Sequence, residues 1–300
     1  MPSDLVIGVD VGGTKMLAGL VARDGAVGRT VEVATPTTGQ QQFLTELDAL
    51  LDGFAADGAA IGVGVPMNLD RKTGLGLGAV NLPLRALDLA GHLRERFQVP
   101  VGVENDGNAI ALAEWRAGAG RGTNDLVALA LGTGVGGGVV LDGKLYRGWA
   151  ELGHVVVDAD GPPCQGNCHG RGHLEAVASG EAAERAAVEL WGPGVDAHRL
   201  VHEALDGHAE ARSALERIGH YLGLAIGSFV NIFVPEVVVV GGGFGTAAWE
   251  LLREPALAAA RREALQPADE QLRVVQAELG DDAGLVGAGL VGFEALDGER

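Results

Sequence analysis

One pattern occurs twice in this chain of 300 residues. Leu5 to Asp10 (LVIGVD) is an apolar, β-branched run that stops at Gly12-Gly13-Thr14; a second run, Met16 to Ala22, follows, then an Asp24-Gly25 turn and a third run, Val27 to Ala34. Asp125 to Leu131, Gly132-Thr133-Gly134, Val135 to Leu141, Asp142-Gly143 and Lys144 to Tyr146 repeat the same order. In both copies the glycine turn joins strand to strand. A P-loop or a Rossmann turn leads from a strand into a helix, so neither describes this chain. Duplication of one supersecondary unit predicts two similar lobes with a cleft between them, divided near Gly118 to Thr123 (GAGRGT).

Helical and strand patterns fill the intervals. Phe43, Leu47, Leu50, Leu51 and Phe54 share one face of an amphipathic helix over Phe43 to Ala55. Ile61 to Pro66 and Val99 to Val103 read as strands, and Asn108 to Ala117 as a helix. In the second half, Gly180 to Trp191, Ala197 to Leu205, Ala211 to Phe233 and Ala283 to Leu296 read as helices, and Glu236 to Val240 as a buried strand entering Gly241-Gly242-Gly243. Alternating strands and helices define an α/β protein with mixed sheets. The expected division is a smaller N-terminal lobe over 1–118 and a larger one over 119–283, with a last helix at about 284–300 packing back onto the first.

Charge narrows the function. Forty acidic residues against 22 basic ones give a net charge of -18, a field that repels a nucleic-acid backbone and an anionic membrane alike. An anionic ligand such as a nucleotide then needs local devices: turn amides, a lysine or a divalent cation. No apolar run reaches the ~18 residues of a membrane span. No secretory signal opens the sequence, so a cytoplasmic protein is expected, its two cysteines free or bound to metal.

Four clusters carry chemistry. Cys164, Cys168 and His173, with His154 before them, offer two thiolates and two imidazoles at structural-zinc spacing; the plain alternative is buried thiols beside solvated histidines. In DVGGTK (Asp10 to Lys15) the amides of Gly12, Gly13 and Thr14 can meet phosphate oxygens, Lys15 can neutralise charge and Asp10 can hold Mg²⁺, unless the turn is only a hairpin. Gly132, Thr133 and Gly134 are its counterpart in the second copy. ENDGNA (Glu104 to Ala109) follows a strand, where Asp106 is either a carboxylate projecting into a cleft or a helix N-cap. Glu151 and Glu175 flank the cysteine loop and, with Asn105, suit sugar hydroxyls; the alternative is surface ion pairing. His198 and His202, four apart on one helix face, read as solvated.

Together DVGGTK, ENDGN, LGTGVGGG, ELGH, the cysteine loop ending at Glu175 and VVVGGG resemble, in order and over nearly the whole chain, the ROK family of sugar kinases, with bacterial glucokinases nearest in pattern. The resemblance implies the two-lobed actin-like ATPase (ribonuclease H-like) fold and transfer of the γ-phosphoryl group of ATP to a sugar hydroxyl. It implies Asp106 as general base, and Asn81, Asn105, Asp106, Glu151, His154 and Glu175 as sugar contacts. Gly12 to Thr14 and Gly132 to Gly134 become phosphate turns, Gly241, Gly242 and Gly243 the adenosine side, with Mg²⁺ and structural Zn²⁺ as metals. Glucose is the first expected acceptor. N-acetylglucosamine, N-acetylmannosamine, mannose or fructose, a polyphosphate donor, or a non-catalytic sugar-binding regulator are the alternatives. The regulator is disfavoured because the first strand begins at Leu5, leaving no room for a DNA-binding segment. A homodimer or homotetramer is also implied.

Two departures from the family pattern stand out. The usual loop is C-x-C-G-x-x-G-C-x-E, whereas His173 stands here at the third cysteine, Cys168 at the second and Gly166 at the first, with Cys164 expected to supply the missing ligand. GVGVPMNLD (Gly62 to Asp70) stands where the family often has Pro-Gly before a later Asp, and Met67 and Asn68 are expected to reshape one wall of the sugar pocket.

Overall fold

The computed structural model describes residues 4–79, 82–166 and 168–298, so Asn81 lies outside the described residues. The chain forms two compact units, one of residues 1–121, 145–150 and 281–300, the other of 122–144 and 151–280. Among the described residues no helix is long and apolar enough to cross a membrane.

In chain order the first unit holds β1 (Leu5–Val11), β2 (Lys15–Ala22), β3 (Val27–Ala34), α1 (Gln40–Asp52) and β4 (Ile61–Val65). Three short strands follow, β5 (Met67–Leu69), β6 (Gly76–Ala79) and β7 (Arg85–Leu87), then α2 (Leu89–Phe97), β8 (Val101–Asn105) and α3 (Asp106–Arg116). The second unit contains β9 (Leu126–Leu131) and β10 (Val135–Leu141), and β11 (Lys144–Leu145) ends where the chain re-enters the first unit. Next come α4 (Leu174–Ala178), α5 (Gly180–Trp191), α6 (Ala197–Leu205), α7 (Ala209–Phe233), β12 (Val237–Gly241), α8 (Gly243–Ala247), α9 (Trp249–Glu263), α10 (Ala268–Gln271) and β13 (Val274–Gln276). The last helix, α11 (Ala283–Leu296), belongs to the first unit.

The duplication is visible in the sheets. Their orders are β3-β2-β1-β4-β8 and β11-β10-β9-β12-β13, the same arrangement strand for strand. In each, the strands flanking the glycine turn are antiparallel, and the strand before the turn pairs in parallel with the next strand inward.

Helix α11 lies on the first sheet because that sheet carries a furrow. Gly8, Gly62 and Gly102 pair in one row across β1, β4 and β8. A Cβ at Gly8 would stand 2.6 Å from Leu285 O and one at Gly102 2.5 Å from Val291 O, while one at Gly62 would collide with Ala288 O. Three absent side chains let a helix of small apolar residues, buried from Ala283 to Phe293, rest with its backbone on the strands. On the opposite face α1 buries Phe43, Leu47 and Leu51 among Ile7, Val9, Ile61 and Val63. In the second unit α7 meets α9 along Gly219, Gly223 and Gly227, a stripe at four-residue spacing facing Leu252, Pro255, Ala256 and Ala260.

Candidate active site

In the first unit the turn after β1 is pinned by its carbonyls and open at its amides. Gly12 N–H bonds Lys15 O at 2.9 Å; Thr35 holds the other side, its N–H donating to Thr14 O (2.9 Å) and its hydroxyl to Gly12 O (2.8 Å). Gly13 and Thr14 are exposed, and their N–H groups bond nothing among the described residues. Lys15 does not lean over the turn: its ammonium pairs with Glu32 on β3 at 2.8 Å, which raises its pKa. Asp10, at the end of β1, is packed over the start of α11, where a Cβ at Gly284 would strike its carboxylate. Burial first, and then the charge of Asp106, push Asp10 up to about 6, with Lys15 opposing. Two nearby carboxylates, one reluctant to ionise, beside open amides suit a divalent cation carrying a phosphate.

Asp106 opens α3 directly after β8. It is not the N-cap: Asn105 takes that role, its Oδ1 accepting from Asn108 N at 3.2 Å. The Asp106 carboxylate accepts from Gly107 N at 2.9 Å. Burial raises its pKa against the pull of that bond. A part-buried carboxylate at a helix start, freed from capping and with its pKa raised by burial, is suited to accept a proton. Asn105 sends Nδ2 toward Met67 O at 3.5 Å, and the Met67 side chain is 1% exposed and packed against Gly76. Met67 is thus a core residue, and the expectation that its side chain walls a sugar pocket is corrected.

The second unit presents the matching turn. Gly132 N–H bonds Gly134 O at 2.9 Å, and Gly132 O accepts from Gly180 N at 2.8 Å. Glu175 Oε2 accepts from Val135 N at 2.9 Å and lies so close beneath Gly134 that any Cβ there would strike it. The turn therefore rests on the junction of α4 and α5. Behind it, Gly242 adopts a positive φ of 81° and lies against the Leu131 backbone, where any side chain would clash.

Beside Glu175 lie the soft ligands. His154, Cys164, Cys168 and His173 bring one donor atom each within 4.8 Å of one another. The Nδ1 atoms of His154 and His173 are 3.3 Å apart, Cys164 Sγ is 3.6 Å from His154 Nδ1, and Cys168 Sγ is 3.5 Å from His173 Nδ1. A tetrahedral zinc with Zn–N of about 2.05 Å and Zn–S of about 2.3 Å has N···N edges of about 3.3 Å and N···S edges of about 3.6 Å, so the residues fit the ion. Burial first, and then neighbouring Cys168 and Glu175, push the Cys164 thiol up to about 11, and burial first, then His154, lower the His173 pKa; a divalent cation is what offsets the first. His169 is not among the four. Gln165 ties the loop down, its amide donating to Glu175 O at 3.2 Å and to Ser179 Oγ at 2.9 Å. Glu151 is exposed just before the short 3₁₀ turn Leu152–His154. Cys164 Sγ stands 3.9 Å from Glu175 Oε1, so the metal loop and Glu175 form one cluster.

Sequence reasoning missed Thr35 and Gln165. No local signal marks either: each acts on a partner at a distance, Thr35 on Gly12 across 23 positions.

Two units built on one strand order, each with a glycine-threonine turn at the same place, define a protein of the two-lobed actin-like ATPase fold. Within that fold the chain belongs to the ROK family, whose pattern it matches over residues 6–292. It is similar to the glucokinase of Thermotoga maritima, 36% identical over 99% of this chain and 100% of that one. Among solved structures it is similar to a ROK family glucokinase from Streptomyces griseus in complex with glucose and AMPPNP, with 32% identity and a TM-score of 0.85 over 97% of this chain and 99% of that one. It is also similar to the ROK hexokinase from Thermus thermophilus, with 34% identity and a TM-score of 0.82 over 98% of this chain and 99% of that one.

Proposed function

We propose that the protein is an ATP- and Mg²⁺-dependent sugar kinase, a glucokinase converting glucose and ATP to glucose 6-phosphate and ADP. The observation that carries the reading is Asp106: a carboxylate at the start of α3, released from capping by Asn105, with a pKa raised by burial. In phosphoryl transfer the protein supplies position and charge, and one base to take the proton of the attacking hydroxyl. Asp106 is that base.

Asn105, Glu151, His154 and Glu175 take the sugar hydroxyls. With Nδ1 turned to the metal, His154 keeps its other ring nitrogen for a hydroxyl, and metal ligation fixes the ring's orientation. The amides of Gly13 and Thr14 and of Thr133 and Gly134 receive phosphate oxygens, while those of Gly12 and Gly132, bonded to Lys15 O and Gly134 O, shape the turns; Asp10 holds Mg²⁺, and Lys15 adds local positive charge. Gly241 to Gly243 border the adenosine. Zinc bound by His154, Cys164, Cys168 and His173 is structural, since four protein ligands leave no position for water. Similarity to glucokinases across the full length supports glucose as the acceptor. The protein is further read as a cytoplasmic homodimer or homotetramer, which light scattering on the purified protein tests.

The test of function is ADP release with Mg·ATP across glucose, mannose, fructose, N-acetylglucosamine and N-acetylmannosamine, with Asp106→Ala as control. Turnover on glucose is expected, reduced by about 10²- to 10⁴-fold in the variant while glucose affinity stays within a few-fold. Near-normal turnover in Asp106→Ala would refute the base, and turnover confined to another sugar would refute glucose.

A further inference from the structure

Arg147 has no part in the reading above. It lies in the stretch 145–150, which packs in the first unit although the chain on either side belongs to the second. Its guanidinium forms two ion pairs in different directions, Nη1 with Glu104 Oε2 and Nη2 with Glu294 Oε2, each at 2.5 Å. Glu104 is in β8 and 5% exposed, and Glu294 is on α11. One side chain thus joins the edge strand that leads into α3, the last helix and a returning segment.

The second oxygen of Glu104 reaches the turn that carries Asp106. Glu104 Oε1 accepts from Asn105 N at 3.1 Å and from Asn108 Nδ2 at 3.2 Å, and Asn108 Nδ2 also donates to Gly148 O at 3.3 Å. Asn108 is 1% exposed, and two acceptors against its amide nitrogen fix how it is turned. The bonds therefore bracket Asp106 on both sides, at Asn105 and at Asn108, while Asp106 itself is held by the adjacent Gly107 N–H. Where the Asp106 carboxylate points is decided by the first turn of α3, and that turn is seated on Glu104.

We propose that Arg147 is a positioning residue for Asp106: by binding Glu104 and Glu294 together it holds Glu104 in the one orientation that clamps Asn105 and Asn108. The proposal rests on Asp106 being the base. Arginine is suited to this because its planar fork serves two carboxylates at once, which a lysine ammonium on a flexible stem does not reproduce. Removing the guanidinium leaves two acidic side chains without the cation that both contact, and Glu104 can then turn away from the α3 start.

The test compares the full-length protein with Arg147→Lys, Arg147→Met and the triple variant Arg147→Met/Glu104→Gln/Glu294→Gln. Steady-state kinetics, thermal midpoint and amide exchange over 105–109 are measured on each. Arg147→Lys is expected to melt cooperatively, to lose about 10- to 100-fold in kcat and to keep the KM for Mg·ATP within about threefold. Its 105–109 amides are expected to exchange about tenfold faster. The triple variant is expected to regain the thermal midpoint but not kcat, because neutral side chains lift the charge penalty without restoring the clamp. Wild-type kcat in Arg147→Lys, unchanged exchange over 105–109, or recovery of kcat in the triple variant would each overturn the proposal. A wild-type protein that phosphorylates no sugar would instead defeat the kinase reading; exchange over 105–109, which needs no turnover, then decides whether the clamp exists.

Discussion

Asp10 carries a charge that its surroundings disfavour. Its ordinary value of 3.8 rises to about 6, chiefly through burial and secondly through Asp106. A carboxylate whose folded pKa is raised binds its proton more tightly in the native state, so its contribution to stability is fully present below about pH 4 and is lost as pH rises through about 6. A shift of about two units corresponds to at most about 3 kcal/mol. Asp10→Asn, which never ionises, is therefore expected to melt at a higher temperature than wild type at pH 7.5 and at the same temperature at pH 4. It is also expected to lose turnover, and to lack the stabilisation by Mg²⁺ that is expected of the wild type at neutral pH. Thermal melts with and without Mg²⁺ at the two pH values check this; equal midpoints at pH 7.5 would place the Asp10 carboxylate in water. Stability is here set against binding at one residue, a conflict expected where function fixes the side chain.

The metal loop poses the same question for an element, since it is held by polar contacts, among them those of Gln165, Arg171 and Asp158, and by its candidate metal ligands. Its isolated bridges, Val156 to His173 and Pro163 to Arg171, and backbone bonds such as Cys164 N–H to Gly170 O (2.9 Å) and Gly172 N–H to Pro162 O (2.8 Å) set the path of the chain, and the ligands orient its side chains. Stripping the metal, or Cys164→Ser with Cys168→Ser, is expected to raise the KM for sugar at least about tenfold and that for Mg·ATP less than about threefold. Metal analysis should count one zinc per chain before treatment; equal effects on both KM values would deny the loop its orienting role. The ligands were legible because two thiolates and two imidazoles at such spacing have few other uses in a loop rich in Gly and Pro. Elements with a clear period were legible too, and α5, α6 and α11 keep the bounds expected for them. Helix α9 was not, because Pro255 reads as a break; its ring instead packs against Gly219 of α7. Strands β5, β6 and β7, of three or four residues, exist through their partners and have no period to read. Arg147 was invisible for a related reason: its meaning is a pair of carboxylates 43 and 147 positions away.

At the scale of the molecule, a net charge of -18 surrounds a site proposed to bind an anionic nucleotide. The devices proposed to admit the nucleotide are all local: the open amides at Gly13 and Thr14, a Mg²⁺ that Asp10 would hold, and a lysine already paired with Glu32. Long-range repulsion and short-range attraction then respond differently to salt, because the Debye length shrinks from about 30 Å at 0.01 M to about 8 Å at 0.15 M. Contacts at hydrogen-bond range are little screened, whereas the summed field of the surface is largely removed. Raising KCl over that interval at constant free Mg²⁺ is expected to lower the KM for Mg·ATP about two- to fivefold and to leave the KM for glucose, a neutral molecule, unchanged. The same screening relieves self-repulsion of the chain and should raise the melting temperature by a few degrees, about 2–4 °C per kcal/mol at this length. A KM for Mg·ATP that rises with salt would mean that the attraction is itself long-ranged, and that the fields of the turns and Lys15 outweigh the surface in spite of the net charge.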